Sequence, residues 1–256
     1  MSKIGVKRIN PFVFNNRVKA VIVSYKISKS FEQLLTDLNI DIIKTLPIEE
    51  IDEPVKDHPD MAVHPIDNNK FVVYNKHKDY YEEKLKEYGI KVIPSSNALN
   101  KFYPNDVALN VSRTNDYYFY KNSCIDLSIE NYLKETSKPK LVKQGYSKCS
   151  SLIIGKDTVV TSDKGLYKSY LDTGIKSYLI PFGAILLSGY DTGFIGGCGG
   201  MISEDEILFY GNLERYKYSD QLVEILNTEN IKYYYPRDCE FVDLGSIIGI
   251  RGGIND

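Results

Sequence analysis

Five short segments of the chain each put a polar or thiol side chain directly ahead of an apolar run. They are Asp60-Met61-Ala62-Val63, Asp106-Val107-Ala108-Leu109, Cys149-Ser150-Ser151-Leu152, Cys198-Gly199-Gly200-Met201 and Asp243-Leu244-Gly245-Ser246. They recur at intervals of roughly 45 residues, the signature of a repeated supersecondary unit. If the five leaders share one place in the repeat, three carboxylates and two thiols converge. His58, His64, Asn105, Lys148 and Ser246 are their chain neighbours. Carboxylates match the fork of N–H donors on a guanidinium. A deprotonated thiol attacks an amidine-like carbon, and an imidazole moves protons near neutrality. The residues therefore point to a site for a cationic small molecule. Cys198 is the expected nucleophile and His64 the proton carrier. Asp60, Asp106, Asn105, Lys148, Cys149 and Asp243 are expected to bind the ligand. The glycines around Cys198 motivate that choice, because glycine lets backbone approach a ligand closely. The plainer alternative stays open: buried cysteines are often small core hydrophobes, and an Asp ahead of a strand often satisfies turn amides. A mixed set of hard carboxylates and soft thiols without local ligand spacing is a poor metal signature, so no metal or other cofactor is expected.

The elements that would position these residues follow from periodicity. Phe31, Leu34, Leu35 and Leu38 form one helical stripe, with Ser30 as the expected N-cap. Similar windows lie near 79–88, 126–135, 165–172 and 219–227. Four of the five helices stop at Asn39, Gly89, Gly174 and Asn230, residue types that tolerate the left-handed conformation. A strand follows each stop and soon meets Pro47, Pro94, Pro181 or Pro236. In the remaining unit the helix ends near Lys138-Pro139, and the expected strand is Leu141–Lys143. Each leader segment is followed by a second strand, as in Lys70–Tyr74 and Thr158–Ser162. The last unit runs out of chain after Asp243, and its missing parts lie at the other end: Val18–Val23, Phe31–Leu38, Ile40–Lys44. The expected fold is thus α/β, a ring of five ββαβ units with pseudo-fivefold symmetry, closed by the N-terminal segment as one domain over 1–256. Closure removes exposed sheet edges.

This architecture resembles the pentein fold of the guanidino-group modifying enzymes: arginine and agmatine deiminases, dimethylarginine hydrolases and amidinotransferases. The same ring also occurs in non-catalytic anti-association factors of the large ribosomal subunit. Asp60-Met61-Ala62-Val63 and Asn105-Asp106-Val107-Ala108-Leu109 are similar to the acidic strand motifs of that superfamily. The resemblance implies a nucleophilic cysteine in the last unit and a histidine in the unit before. Phe241–Ile248 holds no cysteine and Gly193–Gly200 no histidine, so the usual pair is not carried over. Ser112-Arg113-Thr114-Asn115 is similar to a dimethylarginine hydrolase string, but it falls in a hairpin and is read as chance. The two functional expectations are a guanidine- or amine-directed hydrolase or transferase, and a rigid interaction module without chemistry.

Composition narrows the partners. Lys+Arg total 32 and Asp+Glu 34, a net charge of -2 that argues against a broad nucleic-acid footprint. No stretch approaches a membrane span, and Met1–Val6 holds no apolar run of signal-peptide type. Four cysteines without a CxxC pair fit a reducing, cytoplasmic setting. Nothing in the sequence names a protein partner.

Overall fold

The computed structural model describes residues 10–114 and 116–252; the opening Met1–Val6 segment and Asn115 lie outside the described residues. In chain order the elements are β1 (Ala20–Val23), α1 (Lys29–Asp37), β2 (Asp41–Lys44), the single turn α2 (Pro59–Ala62), β3 (Val63–Asp67), β4 (Lys70–Val73), α3 (Lys78–Leu85) and β5 (Lys91–Pro94). Then come β6 (Ser112–Arg113), β7 (Tyr117–Lys121), α4 (Leu127–Thr136), β8 (Lys138–Val142), β9 (Ser151–Ile154), β10 (Thr158–Thr161), α5 (Lys164–Asp172) and β11 (Lys176–Leu179). The chain ends with β12 (Gly199–Met201), β13 (Glu206–Phe209), α6 (Ser219–Thr228), β14 (Lys232–Tyr234) and β15 (Ile248–Ile250).

These strands make five three-stranded sheets of one design. In each, the second strand of the unit lies in the middle, antiparallel to the first and parallel to the third. A parallel neighbour needs a crossover, which is the work of the helix between them. Three of the middle strands, Ala20–Val23, Thr158–Thr161 and Glu206–Phe209, are buried on both faces, which is why they do not alternate polar with apolar residues. The fifth sheet joins the chain ends: β1 pairs with β15, Val21 opposite Gly249, and with β2 on its other side. The units also close a circuit through the core. One apolar cluster links Ile22 and Ile250 to Val72 and Leu109, a second links Phe119 to Val160 and Ile207, and a third links Leu208 to Val21.

The four helix stops behave as expected: Asn39, Gly89, Gly174 and Asn230 all have positive φ. Two expectations need correction. The N-cap of α1 is Ser28, whose Oγ accepts from Phe31 N at 3.1 Å, and Ser30 sits in the first turn. Strand β8 starts at Lys138 and includes Pro139 opposite Tyr118. It is an edge strand, where a proline nitrogen facing away from the ladder costs no hydrogen bond.

Candidate functional site

The distance from each leader to its first strand is not constant. Asp60 lies three residues before Val63, Asp106 six before Ser112, Cys149 two before Ser151, Cys198 one before Gly199 and Asp243 five before Ile248. The five are therefore not equivalent positions, and the fold brings together only some of them.

Asp60, Cys149 and Lys148 meet at the centre. His58-Pro59 starts α2, the proline taking the first helical position where its missing N–H costs nothing. This turn buries Asp60 against the approach to β9. The Cys149 thiol donates to Asp60 Oδ2 at 3.0 Å and accepts from Asn110 Nδ2 at 3.0 Å. Asn110 Oδ1 accepts from the backbone N–H groups of Lys148 and Cys149, at 2.9 and 3.2 Å, and so fixes the turn that aims the thiol. Ser246 donates to Asp60 Oδ2 from its backbone nitrogen at 2.9 Å and from its hydroxyl at 2.6 Å. Lys148 Nζ donates to that hydroxyl at 2.7 Å and lies over the Phe12 ring. Asp60 Oδ1 and both ring nitrogens of His58 are buried with no hydrogen-bond partner.

Asp243 completes the group from the last unit. It accepts from Phe194 N at 2.7 Å and Gly245 N at 3.0 Å, and its Oδ1 lies 3.8 Å from His58 Nδ1. A cavity of about 120 Å³ opens beside this cluster, lined by His58, Cys149 and Asp243 and walled by Val55, Tyr146, Leu187, Tyr190, Thr192 and Phe194. Tyr190, 45% exposed, stands at its mouth. Drug-sized pockets span about 300–1,000 Å³, so this one suits a head group. Burial pushes the Cys149 thiol well above its ordinary range, with Asp60 and Asp243 adding to the effect. Burial also raises Asp243 and lowers Lys148.

Several expected residues lie elsewhere. Cys198 is fully buried in the apolar core with Ile195, Phe209 and Phe241, its thiol turned to the Phe194 carbonyl, and it does not line the cavity. Its glycine neighbours make room for protein: a Cβ on Gly197 would strike the Asp243 carboxylate, and one on Gly196 would meet the carbonyls of Lys148, Cys149 and Ser151. His64 is sealed on β3, with Nδ1 donating to the Leu109 carbonyl at 3.1 Å and the ring edge-on to Phe12. Burial, then Arg113, hold its pKa well below the usual range, so it is a neutral core residue. The cavity histidine is His58. Asn105 is exposed, its backbone nitrogen bonded to the Phe102 carbonyl. Asp106 is buried and touches the cavity only through Tyr146, whose hydroxyl donates to it; burial raises its pKa. Asn110, Tyr146 and the 185–194 loop escaped sequence reasoning. Counting back from the strand would have found Asn110, which precedes Ser112 by the same two residues that separate Cys149 from Ser151.

The family model described as "Family of unknown function (DUF6873)" matches residues 22–248. The chain belongs to this family. Its matched span reaches from β1 to β15, and so includes both ends of the closing sheet. No curated protein matches this DUF6873 member. Among solved structures it is similar to the inosamine-phosphate amidinotransferase of Streptomyces griseus, with 12% identity, 94% of this chain and 96% of that one covered, and a TM-score of 0.58. It is also similar to an amidinotransferase of the saxitoxin biosynthetic pathway from Microseira wollei (10% identity, 91% and 92% covered, TM-score 0.56). A third is the DDAH of Pseudomonas aeruginosa in complex with citrulline (10%, 87% and 93%, 0.54). These likenesses establish the pentein fold for this DUF6873 chain. Among its described residues no helix is long and apolar enough to cross a membrane.

Proposed function

We propose that the protein binds a small cationic molecule by its guanidine, amidine or amine head in the cavity beside Asp60 and Asp243, and that Cys149 acts on the carbon of a guanidine or amidine head. The observation that carries this is the thiol–carboxylate pair at 3.0 Å, set beside a cavity that His58 and Asp243 also line. The pentein relatives, which include amidinotransferases and an agmatine deiminase, favour the same ligand class.

The electrostatics supply a reason for ligand-triggered chemistry. Buried beside two carboxylates, the thiol keeps its proton. A cation placed between Asp60 and Asp243 offsets both carboxylates and favours the thiolate. The thiol proton passes to Asp60 and sulfur attacks the amidine carbon, forming a C–S bond. The amine leaves from that carbon carrying the transferred proton. Water or a second amine then breaks the C–S bond and restores the thiol. His58, with two uncommitted nitrogens, is the group placed to take a proton from the incoming nucleophile.

Calorimetric titration with agmatine, guanidinium and simple alkylamines tests the reading, together with ammonia or amine release. Asp243→Asn should weaken binding about tenfold to a hundredfold, the value of a charge-assisted hydrogen bond. Cys149→Ser should abolish turnover and leave binding nearly intact, whereas Cys198→Ser should do neither. Binding without turnover would favour a non-catalytic receptor. No binding of any cation by the folded wild type would remove the proposal.

A further inference from the structure

We propose that His58, Asp60 and Cys149 form a zinc site, and that zinc occupancy closes the cavity to the cationic ligand. Each of the three offers one ligand atom, all within 4.8 Å of one another, and all three residues are buried. Among the described residues this is the group of His, Cys, Asp and Glu side chains that converges in this way. No local motif announces it, because Asp60 and Cys149 come from different units, 89 residues apart.

The second, independent observation is the set of orphaned atoms. His58 is 1% exposed, yet neither ring nitrogen has a hydrogen-bond partner, and Asp60 Oδ1 has none either. Buried polar groups are normally satisfied, so these atoms lack the partner their position calls for. Asp60 Oδ2 is already held by Ser246 and Cys149, which leaves Oδ1 free to ligate without breaking the Ser246 bonds. An imidazole, a carboxylate and a thiolate suit zinc, with bond lengths of about 2.0–2.3 Å in tetrahedral geometry. Three protein ligands leave the fourth position to the cavity. Asp243 Oδ1, 3.8 Å from His58 Nδ1 and just beyond hydrogen-bond reach, is the carboxylate that a small closure would bring onto a metal-bound histidine. The charges balance: the Cys149 proton is released to solvent, and one thiolate and one carboxylate neutralise the dication. A neutral cluster is what an interior tolerates.

The competition with a cation rests on the proposed function; the metal site itself does not. Cobalt titration of the folded wild type should give one equivalent bound, with a thiolate-to-cobalt charge-transfer band and tetrahedral d–d bands that zinc abolishes. Zinc should protect Cys149 from alkylation at least tenfold, read peptide by peptide in the wild type, and leave Cys124 and Cys239 reactive. Cys149→Ser and His58→Ala, checked for folding by circular dichroism, should each weaken zinc binding about a hundredfold, and Cys198→Ser should not. Absence of the charge-transfer band, or zinc binding that survives Cys149→Ser, overturns the site. If the site stands, zinc that fails to raise the apparent Kd of agmatine overturns the competition. Should cation binding fail while the cobalt spectrum appears, the functional reading falls and the metal site stands.

Discussion

At the scale of single residues, the centre is a relay of hydrogen bonds between units that leaves Asp60 Oδ1 and the His58 ring without partners. Ser246 is the joint, since it takes a donor from Lys148 and gives its own to Asp60. Ser246→Ala should cost about 1–3 kcal/mol by chemical denaturation, the cost of leaving buried partners unsatisfied. His64 makes a separate, pH-dependent contribution. Its folded-state pKa is depressed below the ordinary 6.5 by burial and Arg113, so below that pH the unfolded chain takes up a proton that the folded one refuses. Stability associated with His64 is therefore intact above pH 6.5 and falls as pH drops through it, by up to about 1.4 kcal/mol per pH unit. His64→Gln should flatten that limb of the stability profile relative to wild type, and an unchanged slope would contradict the assignment. Sequence reading named Asp60, Lys148, Cys149 and Asp243, which the structure clusters, because charge and thiol chemistry are visible in residue type. The cysteine and histidine it expected to do chemistry, Cys198 and His64, do not line the cavity, whereas Cys149 and His58 do. Which of His58 and His64 faces the cavity depends on one turn of α2 ahead of β3, and that offset differs between units.

At the scale of elements, backbone conformations that only some residues tolerate decide where chains turn and side chains fit. Asn39 and Asn230 end α1 and α6 with φ of 56° and 57°. Asn39→Ala should destabilise by about 1–2 kcal/mol, the cost of a Cβ in the left-handed region, whereas Asn39→Gly should be nearly neutral by thermal melting. Gly197 is a different case. Any side chain there meets the Asp243 carboxylate, so Gly197→Ala should displace Asp243 and reduce cation binding even in a folded variant. Helix stops and middle strands were legible because the same local physics recurs, four times for the left-handed stops and five times for the middle strands. The turn that aims Cys149 was not, because Asn110, which fixes it, comes from the preceding unit.

At the scale of the molecule, the fold is closed by its own ends, and the site depends on that closure. Asp60 comes from the first complete unit, Cys149 from the third, and Asp243 and Ser246 from the segment that leads into β15, which pairs with β1. The buried Ala20–Val23 strand contributes about 1.5–3 kcal/mol for each large side chain, comparable in sum to the net stability of a domain. A chain starting at Tyr25 should therefore lose cooperative unfolding and cation binding together. This closure was readable in the sequence from the split last unit alone. The central claim, that Cys149 is the thiol the fold presents to a cationic head group, is tested most directly by chloroacetamidine, which carries an amidinium beside a displaceable chloride. Peptide mapping of the labelled wild type should place the adduct on Cys149, with agmatine slowing it at least tenfold and Cys198 unmodified. An adduct on Cys198, or a Cys149 whose labelling is indifferent to agmatine, would contradict the account.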